Sequence, residues 1–237
     1  MPVFRLSRET LDFPDPSLAD ADGLLAVGGD LSPHRLLRAY ALGIFPWYPE
    51  GSPILWWSPD PRCVLPPEEL HVPRSLKRTL RQGRFSFSLD AAFGDVVVNC
   101  ASAHEKGGTW LVPEMIAAYA RLHRLGLAHS AEAWHEGELA GGVYGLALGR
   151  IFFGESMFFR RPDASKAALV YLIRQLAGAG FVLVDCQQET ANLLRFGARG
   201  IPREVFLGRL RGALSPAAPR GSWRKGIPRR EEGSCGE

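Results

Sequence analysis

The run from Leu139 to Lys166, L-A-G-G-V-Y-G-L-A-L-G-R-I-F-F-G-E-S-M-F-F-R-R-P-D-A-S-K, constrains the fold more than any other stretch of the chain. Two apolar runs, Leu139–Leu148 and Arg150–Phe158, meet at Gly149, and apolar runs bounded by a glycine read as paired strands. Asp163 then opens a segment whose apolar residues repeat at helical spacing. One acid, Glu155, interrupts the second run between Phe152-Phe153 and Met157-Phe158. A carboxylate among aromatic side chains is costly to bury without a partner. Glu155 is therefore either a structural acid, paired with a cation such as Arg160 or Arg161, or part of a site.

The rest of the chain supplies more strands and helices around this hairpin. Strands are expected at Cys63–Leu65, Phe85–Leu89, His129–His135 and Phe181–Gln187. Helices are expected after Ser32-Pro33, from Pro73, from Ala91 to Ala101 behind an Asp90 cap, and from Pro113 to Leu125. Others follow Asp163 and Thr190, the latter ended by Gly197 and Gly200, and a last one runs from Arg203 to Leu214. A meander followed by helix, strand and helix resembles the acetyltransferase-like (GNAT-like) fold. The expected class is α+β: a small N-terminal domain over residues 1–60, a mixed-sheet domain flanked by helices over 61–214, and a flexible basic tail over 215–237. Within the turn-rich first part, Trp56 and Trp57 read as a small aromatic core. Trp47, between Pro46 and Tyr48, reads as a wall for a ligand, and Gly28-Gly29 as a turn, since no phosphate-loop pattern follows.

Net charge is +3 over 237 residues, which permits a polyanionic partner without demanding one. The charge is not evenly spread. Arg74, Lys77, Arg78 and Arg81 fall at i, i+3, i+4 and i+7 and share one helical face with no acid between them, which reads either as a solvated face or, since like charges repel, as the seat of an anionic partner. A membrane span is not expected, because no apolar run reaches about 18 residues. Without a signal-peptide pattern, Cys63, Cys100, Cys186 and Cys235 read as reduced thiols of a cytoplasmic protein. His123, His129 and His135 are six apart, a spacing that builds no helical metal site.

Two patterns bear on chemistry. Gln175-Leu-Ala-Gly178-Ala-Gly180 matches the phosphate loop of coenzyme A enzymes, yet it ends a helix, where carbonyls rather than amides are presented to an anion. It reads as a helix stop. Asp185 and Gln187 alternate along a strand and so are expected on one face, with Cys186 packing on the other. Ser156 has no nucleophile elbow around it and reads as a hydrogen-bonding residue.

The segments G-L-L-A-V-G-G-D-L-S-P-H-R-L-L-R-A-Y, G-I-F-P-W-Y, P-I-L-W-W-S-P-D-P-R, G-T-W, G-G-V-Y-G, F-F-G-E-S-M-F, A-S-K and D-C-Q together resemble the leucyl/phenylalanyl-tRNA–protein transferase family. The resemblance implies an aminoacyltransferase that takes Leu or Phe, and less readily Met, from aminoacyl-tRNA. The acceptor would be a protein beginning with Arg or Lys, which is thereby marked for N-end-rule degradation. No metal or other cofactor is implied, because the aminoacyl ester is already activated, and the enzyme is expected to be a cytoplasmic monomer. Carried over, the catalytic residues are Glu155, Asp185 and Gln187. The pocket for the donor aminoacyl group and its adenosine is expected from Trp47, Trp110, Tyr119, Val143, Phe152 and Phe158, with Val143 standing where the family usually has Met. Arg74, Lys77, Arg78 and Arg81 would hold tRNA phosphates. Two other classes compete: an acyltransferase using coenzyme A, and a non-catalytic RNA-binding module.

Overall fold

The strands β8 (Glu138–Leu148) and β9 (Ile151–Phe159) turn at Gly149 and pair antiparallel. The protein is seen in a computed structural model that describes residues 3–103, 111–214 and 221–228. Around the hairpin lie β5 (Arg62–Leu65), β6 (Ser86–Leu89), β7 (Ala128–His135), β10 (Leu183–Gln187) and β11 (Arg199–Ile201). They form a seven-stranded sheet in the order β11-β5-β10-β9-β8-β7-β6. Every pairing is antiparallel except β9 with β10. Those two run parallel because the chain crosses over between them through the helix α5 (Ala164–Gly178). The fold is thus α+β with a mixed sheet.

Residues before this sheet form a second one. Its strands are β1 (Phe4–Leu6), β2 (Leu24–Gly28), β3 (Phe45–Pro46) and β4 (Leu55–Trp57), in the order β1-β2-β4-β3. Strands this short, two of them beside prolines, leave no period to read, and the expectation of turns there missed them. The helix α1 (Pro33–Ala41) starts as expected, with the Ser32 hydroxyl accepting from the Arg35 amide at 3.4 Å. Arg35 itself is fully buried and lies against Gly29, the second glycine of the pair before it. Its guanidinium donates to Asp30 Oδ2 at 3.1 Å and to the Ser7 and Thr10 carbonyls at 2.7 Å each. A Cβ on Gly29, whose φ is +74°, would sit 3.1 Å from that side chain. Trp56 is buried, as expected, and a single apolar core runs from it through Tyr40, Phe45 and Tyr119 to Tyr144 and Phe153 of the large sheet.

Helices α2 (Arg74–Arg81), α3 (Phe93–Ala103), α4 (Pro113–Arg124), α6 (Ala191–Leu194) and α7 (Arg203–Leu214) are the other α-helices of the described residues. Three expectations are corrected. The Asp90 and Asp163 carboxylates do not cap helices: both residues have positive φ and their side chains serve other partners, Asp163 holding the N-cap position of α5 through its backbone alone. The helix after Thr190 stops at Leu194, short of Gly197 and Gly200, and Gly200 lies inside the edge strand β11. Residues 221–228 of the supposed flexible tail are docked, with Trp223 fully buried and its amide donating to Asp90 Oδ2 at 2.7 Å. No helix of the described residues is long and apolar enough to cross a membrane.

Candidate active site

Where β9 and β10 part company, a cavity opens. Their pairing covers only Ile151–Phe153 with Leu183–Asp185, after which both strands continue without each other. Each carries one extra residue at this point. Opposite β8, Gly145 pairs with Gly154 and Tyr144 with Ser156, which leaves Glu155 as the bulged residue. Opposite β5, Val64 pairs with Asp185 and Cys63 with Gln187, which leaves Cys186 bulged. A bulge breaks the strict alternation of a strand and re-aims side chains. That is how an acid in an apolar strand reaches the wedge instead of solvent or core.

The cavity measures about 380 Å³. Its sheet wall is made of Val143, Phe152, Gly154 to Met157, Val184, Cys186 and Gln187. The opposite wall is the stripe Leu169, Leu172, Ile173 and Leu176 of α5, at helical spacing. Phe45, Pro46 and Trp47, in and just after β3, and Gln188, Thr190 and Leu193, after β10, complete the lining. The lining is mostly apolar, with Glu155 its one carboxylate.

Among the described residues Glu155 has no cationic partner. Arg160 instead donates to Asn99 Oδ1 at 2.7 and 3.1 Å, so the ion-paired reading of Glu155 falls away. Its oxygens meet hydroxyls: Tyr40 OH donates to Oε1 at 2.7 Å, Tyr119 OH to Oε2 at 2.6 Å, and Gln187 Nε2 to Oε1 at 3.1 Å. The two tyrosine oxygens are themselves 2.7 Å apart. Three short oxygen–oxygen contacts need three protons. The two phenols supply two, and the third is present only when Glu155 is protonated, closing a ring of hydrogen bonds. Burial, the leading cause, together with repulsion from Asp185, raises the Glu155 pKa to about 7 despite the hydrogen bonds from Tyr119, Tyr40 and Gln187. Burial and the neighbouring Glu155 charge push both phenols well above their ordinary value, so they stay protonated donors.

Asp185 does not share the cavity face with Gln187. It is fully buried and held by Arg62, whose Nε donates to Oδ1 at 2.8 Å and Nη2 to Oδ2 at 2.7 Å. Arg62 in turn reaches the Gly43 carbonyl at 3.1 Å and lies over the rings of Phe45 and Phe206, at 4.8 and 4.7 Å from their centroids. Asp185 Oδ1 also accepts the Gln187 amide at 2.9 Å, which pins Gln187 in the left-handed region at φ +62°. The bulge at Cys186 explains the departure: Cys186 and Gln187 face the cavity, and Asp185 faces Arg62.

The remaining expected site residues divide. Val143, Phe152 and Trp47 line the cavity, Trp47 at its 41% exposed rim. Tyr119 lies beneath Glu155 and Phe158 packs into the core, so neither is a wall. Trp110 lies outside the described residues. Arg74, Lys77, Arg78 and Arg81 project from α2 into solvent, while Leu76 and Leu80 pack inward and Thr79 Oγ1 donates to Asp163 Oδ2 at 3.1 Å. Sequence reasoning missed Tyr40, Arg62 and the α5 stripe. The stripe reads the same whether a helix faces a core or a cavity, and only the strand divergence separates the two.

Two family models match the chain. One, described as leucyl/phenylalanyl-tRNA protein transferase, matches residues 64–211, and the N-terminal domain of the same family matches residues 29–60. The chain belongs to the leucyl/phenylalanyl-tRNA–protein transferase family. Curated relatives with that name are similar along nearly their whole length. That of Anaeromyxobacter sp. (strain Fw109-5) is 62% identical over 225 residues, 94% of this chain and 95% of the relative. That of Desulfatibacillum aliphaticivorans is 59% identical over 94% and 96%, and that of Magnetococcus marinus is 54% identical over 96% and 99%. Solved structures are similar only distantly. The C-terminal domain of a putative lysylphosphatidylglycerol synthetase from Agrobacterium fabrum is 12% identical, with TM-score 0.37 over 69% of this chain and 53% of that one. A GCN5-related N-acetyltransferase from Kribbella flavida is 13% identical, with TM-score 0.35 over 71% and 60%. Within the transferase family, then, the wedge between β9 and β10 is the place in this chain where an apolar cavity and a titratable carboxylate meet.

Proposed function

We propose that the wedge between β9 and β10 binds the aminoacyl end of Leu- or Phe-tRNA and joins that residue to the α-amino group of a protein beginning with Arg or Lys. The observation that carries this reading is an apolar cavity of about 380 Å³ whose one carboxylate is held near pKa 7. A Leu or Phe side chain fills an apolar cavity between α5 and Phe152, whereas a charged side chain would lose its hydration there. Trp47 at the rim offers an aromatic face for the terminal adenine.

The acceptor amine has a pKa of about 8, so roughly a tenth of it is neutral near pH 7. Glu155, ionised, accepts the one proton that the neutral amine loses as it attacks, the ammonium proton having already gone to solvent. The amine nitrogen forms a bond to the ester carbonyl carbon. The bond from that carbon to the ribose oxygen then breaks, and the proton held at Glu155 goes to the leaving ribose oxygen. The ring of Tyr40, Tyr119 and Glu155 stores that proton between the two steps. Gln187 donates its side-chain amide to Glu155 and presents its carbonyl oxygen to the amine. Asp185 is a positioning residue, acting through the Gln187 amide and Arg62.

The basic face of α2 holds tRNA phosphates, giving affinity without sequence readout. The enzyme works as a cytoplasmic monomer, and its products enter N-end-rule degradation. The test mixes the protein with radiolabelled Leu-, Phe-, Met- or Val-tRNA and a peptide beginning with Arg. Label in the peptide from Leu and Phe, less from Met and least from Val, is expected. Label from none of them, with tRNA bound, would overturn the reading. An Ala-started peptide labelled as well as the Arg-started one would overturn its acceptor half.

A further inference from the structure

Trp223 comes from the chain's C-terminal end and is completely buried in the apolar cluster that also supplies the cavity walls. It is fixed from several sides. Its ring stacks flat on His129, with centroids 3.6 Å apart and planes parallel. Its amide donates to Asp90 Oδ2, whose carboxylate also meets His129 Nδ1 at 3.0 Å and the Ser130 amide at 3.0 Å. Arg224 Nε donates to the Asp90 carbonyl at 3.0 Å. A Cβ on Gly126 would lie 2.7 Å from Gly221 Cα, so the segment is seated against the backbone after α4.

From that anchor Trp223 touches two residues that shape the wedge. Its centroid is 6.1 Å from the ring of Phe152, which lines the cavity, and 6.0 Å from Phe181, which leads into β10. The Phe152 ring is also bounded by the backbone of β8: a Cβ on Gly145 would lie 2.6 Å from it. Phe152 is thus held between a glycine and a buried indole. Removing bulk from the indole opens space behind Phe152 into which the ring can retreat, deepening the cavity.

We propose that Trp223 is a positioning residue for donor selection: the 221–228 segment backs the cavity and fixes how far Phe152 protrudes into it. This rests on the wedge being the aminoacyl site. Pocket depth separates Leu from the longer Phe, and a change of about one methylene's worth of space is enough to move selectivity some ten-fold.

The experiment compares wild type with Trp223→Leu, Trp223→Met and Trp223→Phe in two readouts. One is the ratio of kcat/KM for Phe-tRNA to that for Leu-tRNA with an Arg-started peptide. The other is the ratio of Kd values for phenylalanyl- and leucyl-3′-amino-adenosine, which carry an amide in place of the ester and cannot transfer. Both ratios are expected to shift about five-fold toward Phe in Trp223→Leu and less in Trp223→Met, with Trp223→Phe within about two-fold of wild type. Peptide KM stays unchanged. If Trp223→Leu does not fold, Trp223→Met, a flexible gap-filler, decides the matter. A folded variant with lowered Tm and unchanged ratios would overturn the proposal and leave Trp223 as core alone. A wild type that binds both analogues yet transfers nothing would overturn the reading of the reaction, and the Kd ratios would still decide this one.

Discussion

Arg62 and Asp185 form a fully buried, doubly hydrogen-bonded pair, and breaking it should separate support of the site from participation in the chemistry. In Arg62→Met the Asp185 carboxylate keeps, among the described residues, only the Gln187 backbone amide as a hydrogen-bond partner, and the cation packed between Phe45 and Phe206 is gone. Removing one partner of a buried pair costs about 3–5 kcal/mol. For a chain of this length that is a fall in Tm of roughly 6–20 °C. The uncompensated charge also acts on Glu155, whose pKa Asp185 already raises, so the pH inflection of transfer should move upward. Asp185→Leu combined with Arg62→Met removes both charges and should recover most of the stability, because well-packed apolar replacements of buried pairs are often neutral. Transfer should stay low in the double variant, since Gln187 has lost the acceptor for its amide. Thermal melts and a double-mutant cycle measure the coupling. The decisive variant is Asp185→Asn. A large loss of kcat with Tm within about 1 °C of wild type would mean that Asp185 takes part in the reaction and that its role as a clasp is wrong.

Other outcomes follow from the same geometry. Lys77→Ala with Arg78→Ala should raise KM for tRNA and reduce the magnitude of its salt slope by about 1.5–2, leaving peptide KM alone; an unchanged slope would move the tRNA interface elsewhere. Gly145→Ala should lower both Tm and transfer, because its Cβ would run into the Phe153 carbonyl and the Phe152 ring; a variant as stable as wild type would contradict that packing. Val143→Met adds bulk to a cavity wall and should depress use of Phe-tRNA more than of Leu-tRNA, read as the ratio of kcat/KM values.

Much of the fold was legible because the long elements carry a period. The meander β7–β9, the crossover helix α5 and the last helix follow from alternation, helical spacing and glycine stops, and Leu76 buried beneath four exposed cations follows from the i, i+4 rule. The site was less so, for a definite reason. Its geometry depends on two bulges, at Glu155 and Cys186, and a one-residue insertion in a ladder leaves no mark in composition. Perfect alternation would aim Asp185 where Gln187 points, which is why the strand reading gave them one face. Tyr40 and Arg62 join Glu155 and Asp185 across more than a hundred residues of chain, a distance no local pattern spans. Trp223 was hidden by its surroundings, since a segment rich in Pro, Gly and Arg resembles a loose tail until its one aromatic residue finds a slot.

The role of Glu155 is the claim on which the rest depends, and the pH dependence of single-turnover transfer by wild type and Glu155→Gln tests it. Free carboxyls titrate at 4.5 and Glu155 in the fold at about 7, so the fold favours the protonated form. Stability from that preference is complete below pH 4.5 and lost as pH rises through 7. Gln, which cannot ionise, should therefore gain up to about 3 kcal/mol relative to wild type at pH 8. Loss of a general base lowers rate about 10²–10⁴-fold. The expected result is a wild-type rate that climbs through pH 7, and a Glu155→Gln protein that is equally or more stable at pH 8, slower by at least about a hundred-fold, and without that inflection. A Glu155→Gln enzyme of near wild-type rate, still rising through pH 7, would contradict the account.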